Sequence, residues 1–156
     1  MRKILSPHML SRIDADTRGN TRLTWLQRVL RVVLGGILLA SALGKSLDLP
    51  GFVEVLVTYR AFPDWSLWPI ALLITTIEWG LGLWVLSGHC LPQAALATVL
   101  LNSIYAVWMA LSLARGLDLP NCGCYGVYLP QPLRWYSPLE DLVLVALGLI
   151  LWRLAK

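Results

Sequence analysis

The chain has 156 residues, of which 57% are hydrophobic and 14% are charged, and its mean hydropathy is +0.65. Soluble domains carry roughly a quarter charged residues, so this composition excludes an ordinary soluble fold with a water-facing surface. The net charge of +4 comes from basic residues that crowd the N-terminal part of the chain. It therefore indicates membrane topology rather than nucleic-acid binding.

The N-terminal part is basic and lacks the pattern of a secreted precursor. Seven basic residues lie between Arg2 and Arg31, and no small-residue cleavage site follows a short apolar core, so we expect no signal peptide. We assign residues 1–24 to a cytoplasmic segment and residues 25–156 to a membrane domain.

Four apolar segments follow, each close to the ~20 residues that cross ~30 Å of hydrocarbon. Helices satisfy their own backbone hydrogen bonds in lipid, and short connections favour antiparallel neighbours. The sequence therefore predicts an all-α fold, an antiparallel four-helix bundle in the membrane. Its helices would cover about Trp25–Gly44, Leu67–Ser87, Leu91–Ala114 and Ser137–Ala155.

The loop charges predict the orientation of this bundle. With four crossings, the two termini and the turn near His89 share one face, which holds nine of the 13 basic residues. The positive-inside rule then predicts a multi-pass protein of the inner (plasma) membrane with both termini in the cytoplasm. The longer loops, Lys45–Ser66 and Arg115–Tyr136, would face the periplasm or exterior.

The first of these outer loops contains a helical pattern of its own. Apolar residues Phe52, Val53, Leu56 and Val57 recur at helical spacing after Pro50. This pattern predicts a short amphipathic helix lying on the membrane surface.

The second outer loop carries the most specific motif, Cys122-Gly123-Cys124. Two cysteines one residue apart can pair only if the backbone turns sharply, and Gly123 supplies that freedom. An exposed pair in a small strained ring, on the oxidising side of a membrane, is typical of thiol–disulfide exchange. Cys122 and Cys124 are therefore the candidate catalytic residues, and Arg115 could stabilise a thiolate.

Other interpretations of the motif stay open. The disulfide could be a static staple, although so small a ring constrains little chain. Structural zinc needs four ligands, and the remaining candidates, Cys90, His8 and His89, are assigned to the opposite face, so no metal is expected. Cys90, in a reducing compartment, is expected to be an inert thiol.

Two charged residues lie within the apolar segments or at their ends. Glu78 lies near the middle of the second apolar segment, where a carboxylate is costly and should face the bundle interior. It could pair with a base, be protonated, bond a quinone, or serve only helix packing beside Gly80 and Gly82. Lys45 closes the first segment and could pair with Glu78 or lie at the interface.

The chain resembles the methylamine-utilisation protein MauE family, within the wider DoxX-like group of small four-helix membrane proteins. The likeness covers roughly residues 30–151, and its most specific part is the Cys-Gly-Cys motif with an upstream Arg-Gly. The stretches that carry it are Gly44-Lys45 with residues 48–52 and 59–63, Glu78-Trp79-Gly80-Leu81-Gly82, and Arg115-Gly116 followed by Cys122-Gly123-Cys124-Tyr125-Gly126.

The resemblance implies a redox-associated role. MauE proteins are linked to maturation of a disulfide-rich enzyme subunit alongside a thioredoxin-like partner, and DoxX-like relatives include a subunit of a quinone-linked oxidoreductase. We therefore expect a membrane-bound thiol–disulfide protein that acts with a thioredoxin-fold protein outside the membrane and on an exported client. The alternatives are a non-catalytic anchor or chaperone and a subunit of a quinone-linked oxidoreductase; a quinone is a candidate cofactor.

Overall fold

A computed structural model describes the backbone from Pro7 to the C-terminus and the side chains from Leu23 onward. The predicted cytoplasmic segment 1–24 therefore lies almost entirely outside the described side chains. The described chain is all-helical, which confirms the predicted class. Its five helices are α1 (Pro7–Leu47), α2 (Leu49–Thr58), α3 (Asp64–Ser87), α4 (Leu91–Ala114) and α5 (Ser137–Leu154).

Three helical stretches of the described chain are long and apolar enough to cross a membrane: Leu23–Leu47, Asp64–Ser87 and Leu91–Ala114. Large apolar side chains on their outer faces, such as Leu73 and Leu100, are exposed, as lipid contact requires. The 18 residues of α5 include three charged ones, so α5 does not qualify by composition. A fourth crossing and the orientation of the bundle stay predictions.

The helices pack as two pairs. α1 packs chiefly on α3, and α4 packs chiefly on α5. Gly35 and Gly82 lie at the first contact, where a methyl group on either would overlap a leucine of the opposite helix. Small residues of this kind let membrane helices approach closely.

Arg31 of α1 caps the C-terminal end of α3. Gly88 ends the helix with φ 71°, and the guanidinium of Arg31 donates to the carbonyl oxygens of Val85 (3.2 Å) and Leu86 (2.6 Å). A cation at a helix C-terminus satisfies free carbonyls and complements the helix dipole. Arg31 therefore links α1 to α3 rather than serving only as a topology signal.

Helix α2 and residues 115–136 together close one end of the bundle. Asp48 caps this helix by accepting a hydrogen bond from the Gly51 N–H at 2.9 Å. Its apolar face, which was expected on the membrane surface, packs against protein instead, and Val57 of the predicted face is exposed. An interfacial position for α2 stays a prediction. The cluster that it joins contains Phe52, Leu56, Tyr59, Leu119, Cys122 and Leu133.

Candidate functional site

The segment 121–126, here called the cystine loop, folds through its own hydrogen bonds. Asn121 accepts from the Gly123 N–H at 2.9 Å and donates to the Gly126 carbonyl at 3.0 Å. Gly123 and Gly126 have φ values of 79° and 73°, a region that favours glycine. This turn brings the Cα atoms of Cys122 and Cys124 to 5.6 Å, and the two residues form a disulfide.

Glycines allow the cystine loop to pack closely against the helices. A methyl group at Gly44 of α1 would overlap the carbonyl of Tyr125, and one at Gly126 would overlap the carbonyl of Gly44. Gly123 packs less tightly against α2, where an added Cβ would lie 3.0 Å from the Val55 side chain and 3.1 Å from the Phe52 ring. The loop therefore contacts the helix backbone directly, which larger residues would prevent.

Lys45 and Glu78 meet inside the bundle. Their side chains are 4% and 0% exposed, and Nζ lies 2.9 Å and 3.0 Å from the two carboxylate oxygens. The same ammonium donates to Ser41 Oγ at 2.6 Å and to the carbonyl oxygen of Cys124 at 2.8 Å. Its three protons are thus shared among a carboxylate, a hydroxyl and the cystine loop, which accounts for burying a lysine here.

Glu78 also receives neutral donors. Tyr105 of α4 donates its hydroxyl proton to Oε1 at 2.8 Å, and Ser41 lies 3.0 Å from Oε2. The Tyr105 contact joins the two helix pairs through a single carboxylate. A buried charge is tolerated when it is paired and its remaining lone pairs are bonded, and Glu78 meets both conditions. The pairing with Lys45 that the sequence suggested is therefore present.

Tyr59 anchors the backbone of the other disulfide cysteine, Cys122. Its hydroxyl, buried beyond the end of α2, donates to the carbonyl oxygen of Cys122 at 2.7 Å. Burial, with a smaller contribution from the charge of Asp141, raises the pKa of Tyr59 to about 12. The phenol therefore keeps its proton at physiological pH and remains a donor. The backbone carbonyls of both disulfide cysteines are fixed by side chains from outside the loop.

A cavity of about 130 Å³ lies between the two helix pairs, directly beneath the disulfide. Its wall is mostly apolar and includes Trp108 and Met109 of α4. The charged lining residues are Lys45, Glu78, Glu140 and Asp141. Asp141 is 9% exposed, and its Oδ2 is fully buried without a hydrogen-bond partner among the described residues.

The structure brings together most of the predicted site, but not all of it. Cys122, Gly123, Cys124, Lys45 and Glu78 all line the cavity. The expectation of an exposed pair is wrong for Cys122, which is 7% exposed, whereas Cys124 is half-buried.

Two other predicted features lie apart from this cavity. Arg115 is exposed at the end of α4, where it donates to the carbonyl of Arg60 at 3.3 Å, and it does not line the cavity. Cys90 is a free, exposed cysteine in the turn between α3 and α4.

Sequence reasoning missed four polar residues of the site. Ser41 stands four residues before Lys45, so helical spacing could have placed it on the same face. Tyr105 lies in a segment without charge, where a polar group signals a partner. Asp141, in the first two turns of α5, gave no local signal of its place in the cavity, and Tyr59 gave none of its contact with Cys122.

Comparison with known proteins identifies the family. The family model described as "Methylamine utilisation protein MauE" matches residues 23–154. The chain is 31% identical over 120 residues to "Methylamine utilization protein MauE" of Paracoccus denitrificans, an alignment that covers 77% of this chain and 64% of that protein. It is 28% identical over 110 residues to the protein of the same name from Methylorubrum extorquens, covering 68% of this chain and 57% of the relative.

No solved structure matches the chain. The aligned region spans less than two thirds of the length of each of these two relatives. The family model nevertheless covers nearly all of the described membrane domain: α1 from residue 23 onward, α2 to α5 and the cystine loop. The resemblance inferred from the sequence is thereby confirmed, and this chain belongs to the methylamine utilisation protein MauE family of membrane proteins.

Proposed function

We propose that this protein performs thiol–disulfide exchange at the outer face of the inner membrane and supports disulfide formation in an exported protein. The observation that carries the proposal is the position of the Cys122–Cys124 disulfide. It lies over a cavity, and Tyr59 and Lys45 hold the carbonyls of its two cysteines. Groups that are fixed by packed helices keep a reacting bond in one orientation.

The difference in exposure between the two sulfurs sets the order of the exchange. A thiolate of the partner, a thioredoxin-fold protein or the client itself, attacks Sγ of half-buried Cys124. The Cys122–Cys124 bond breaks, a mixed disulfide forms at Cys124, and Cys122 leaves as a thiolate that takes up a proton. A second thiolate of the partner then attacks the partner's sulfur in that mixed disulfide and releases Cys124. The partner becomes oxidised by two electrons and the Cys122–Cys124 pair becomes reduced.

Turnover requires that the reduced pair be oxidised again. In this proposal two electrons and two protons pass from the dithiol to a lipid-soluble acceptor of the quinone class. The largely apolar wall of the cavity beneath the sulfurs supports an approach from the membrane. Glu78 is a poor candidate for bonding that acceptor, because Lys45, Ser41 and Tyr105 already occupy its carboxylate.

A second function is a non-catalytic membrane anchor or chaperone whose disulfide is structural. Two observations favour it: Cys122 is almost fully buried, and hydrogen bonds from Tyr59 and Lys45 fix the carbonyls of both cysteines. As a structural element, the disulfide would stay oxidised at potentials below about −300 mV.

The test is a redox titration of the purified protein in lipid nanodiscs, with the dithiol fraction read from the mass shift of alkylated Cys122 and Cys124. Exchange predicts a midpoint above about −300 mV. It also predicts that, in a Cys90→Ser background, the free Cys124 thiol of Cys122→Ser displaces thionitrobenzoate from a single-cysteine thioredoxin-fold partner that carries this group and so forms a mixed disulfide, whereas Cys124→Ser, with only the buried Cys122, forms none. Cys90→Ser is the matched control and should behave as the parent protein does. A pair that stays oxidised far below that potential would instead favour the anchor.

A further inference from the structure

A buried carboxylate without a partner marks the cavity as a binding site. Asp141 is 9% exposed, it lines the cavity, and its Oδ2 is fully buried with no hydrogen-bond partner in the described part of the chain. Buried polar groups in native proteins are almost always satisfied, and an unpaired one is costly. Asp141 also lines the cavity, so a ligand that enters it can reach the carboxyl group of this residue.

The charges around the cavity indicate the sign of that ligand. Three carboxylates and one ammonium line it: Glu78, Glu140, Asp141 and Lys45. The ammonium of Lys45 already donates its hydrogen bonds to Glu78, Ser41 and the Cys124 carbonyl. No described lysine or arginine that lines the cavity therefore remains to pair with Asp141, and the carboxyl groups of the lining outnumber its ammonium three to one.

The remaining wall suits an organic cation rather than a hydrated metal ion. Phe52, Tyr105 and Trp108 line the cavity beside apolar residues of α1 and α4, and aromatic faces attract ammonium groups. A volume of about 130 Å³ exceeds the space that one water needs by several-fold. It therefore admits a ligand of a few non-hydrogen atoms.

We infer that the cavity beneath the disulfide binds a primary ammonium group, which forms an ion pair with Asp141 and has its carbon chain against Trp108. The group belongs either to a free alkylamine or to a lysine side chain of an exported client. Glu140, exposed at the cavity mouth, attracts the cation without holding it. The inference is independent of the redox chemistry of the cysteines.

The test uses the full-length protein in nanodiscs and measures binding of n-butylammonium by calorimetry, with 1-butanol as the uncharged probe. Saturable binding of the ammonium and none of the alcohol is expected. Asp141→Asn should weaken ammonium binding at least tenfold and also raise the unfolding temperature, because the amide removes an uncompensated buried charge. Loss of binding with a gain in stability separates a lost ligand contact from misfolding. Asp118→Asn, an exposed substitution away from the cavity, should leave both quantities unchanged.

Two further measurements complete the test. An Nα-acetyl-lysine amide that binds as tightly as n-butylammonium identifies a client side chain as the source, and binding of the free amine alone identifies a small molecule. Unchanged ammonium affinity in Asp141→Asn overturns the inference. It is also overturned if decylubiquinone binds in an Asp141-dependent way and the ammonium does not, because Asp141 would then be a protonated donor. The binding measurement uses the oxidised protein without an exchange partner, so failure of the exchange proposal would leave its result interpretable.

Discussion

The ammonium group of Lys45 donates a hydrogen bond to the carbonyl oxygen of Cys124 at 2.8 Å while it forms the ion pair with Glu78. One side chain on α1 thus joins a carboxylate inside the helix bundle to the backbone of the cystine loop. The hydroxyl of Ser41 lies between the same two groups, 3.0 Å from Glu78 Oε2 and 2.6 Å from the Cys124 carbonyl oxygen, so a change in the charge of the pair reaches the disulfide through this carbonyl.

Replacing Lys45 tests how the Lys45–Glu78 ion pair and the cystine loop depend on each other. Lys45→Met leaves Glu78 as an uncompensated buried charge, which costs about 3–5 kcal/mol, and removes one of the two side-chain donors to the Cys124 carbonyl, the other being Ser41. Adding Glu78→Gln should restore much of the stability but not the exchange rate, because the Cys124 carbonyl still lacks the ammonium donor. Unfolding in lipid nanodiscs and exchange kinetics measure the two effects.

Suitable controls exist for this pair. Glu78→Gln alone should insert normally and lower the exchange rate, whereas Lys156→Met at the exposed C-terminal end should alter neither property. Full exchange activity in Glu78→Gln would show that Glu78 contributes only to helix packing.

Because the backbone of Gly44 contacts the cystine loop closely, adding one methyl group at Gly44 should lower the stability of the protein. Gly44→Ala would overlap the Tyr125 carbonyl, so the loop must shift, at a cost of about 1–3 kcal/mol. Gly36→Ala, in the same helix with open space around it, should be neutral or stabilise by up to ~1 kcal/mol through helix propensity. Thermal unfolding of both variants is the measurement, and equal effects would contradict this account of the loop.

The hydroxyl of Tyr59 should matter for the loop rather than for insertion. Tyr59→Phe leaves the buried Cys122 carbonyl without its donor, which costs about 1–3 kcal/mol, and faster hydrogen exchange is expected at residues 121–126. The exposed Tyr128 offers the matched Tyr→Phe control, for which no change is expected. Unaltered hydrogen exchange in Tyr59→Phe would show that other contacts alone hold the loop.

The native cysteines can test the predicted orientation. Cys90 should react with a membrane-impermeant thiol reagent in inverted vesicles, and Cys124 should react after reduction in intact spheroplasts, because the two would lie on opposite faces. Cys90→Ser and Cys124→Ser identify the labelled sites by mass. Labelling of Cys124 only in inverted vesicles would reverse the orientation and remove exchange at the outer face.

The sequence alone determined the elements of the membrane domain. Uncharged runs long enough to cross lipid predicted residues 91–114 as a helix, and these are the bounds of α4. Gly123 between two cysteines predicted a tight turn, since only a sharp bend lets neighbouring cysteines pair. A carboxylate inside an apolar run predicted that Glu78 faces the interior, because solvation of a charge in lipid is poor. Each of these conclusions depends on local composition or spacing.

Tertiary structure decided which of these groups meet. The contacts of Tyr59 with Cys122 and of Lys45 with Cys124 span 63 and 79 positions, and helical periodicity carries no information about such distant pairs. Packing also buried Phe52, Val53 and Leu56 of α2 against the bundle and left Arg115 outside the cavity. It buried the Oδ2 atom of Asp141 without a hydrogen-bond partner among the described residues, because the shape of a cavity between two helix pairs depends on all four helices at once.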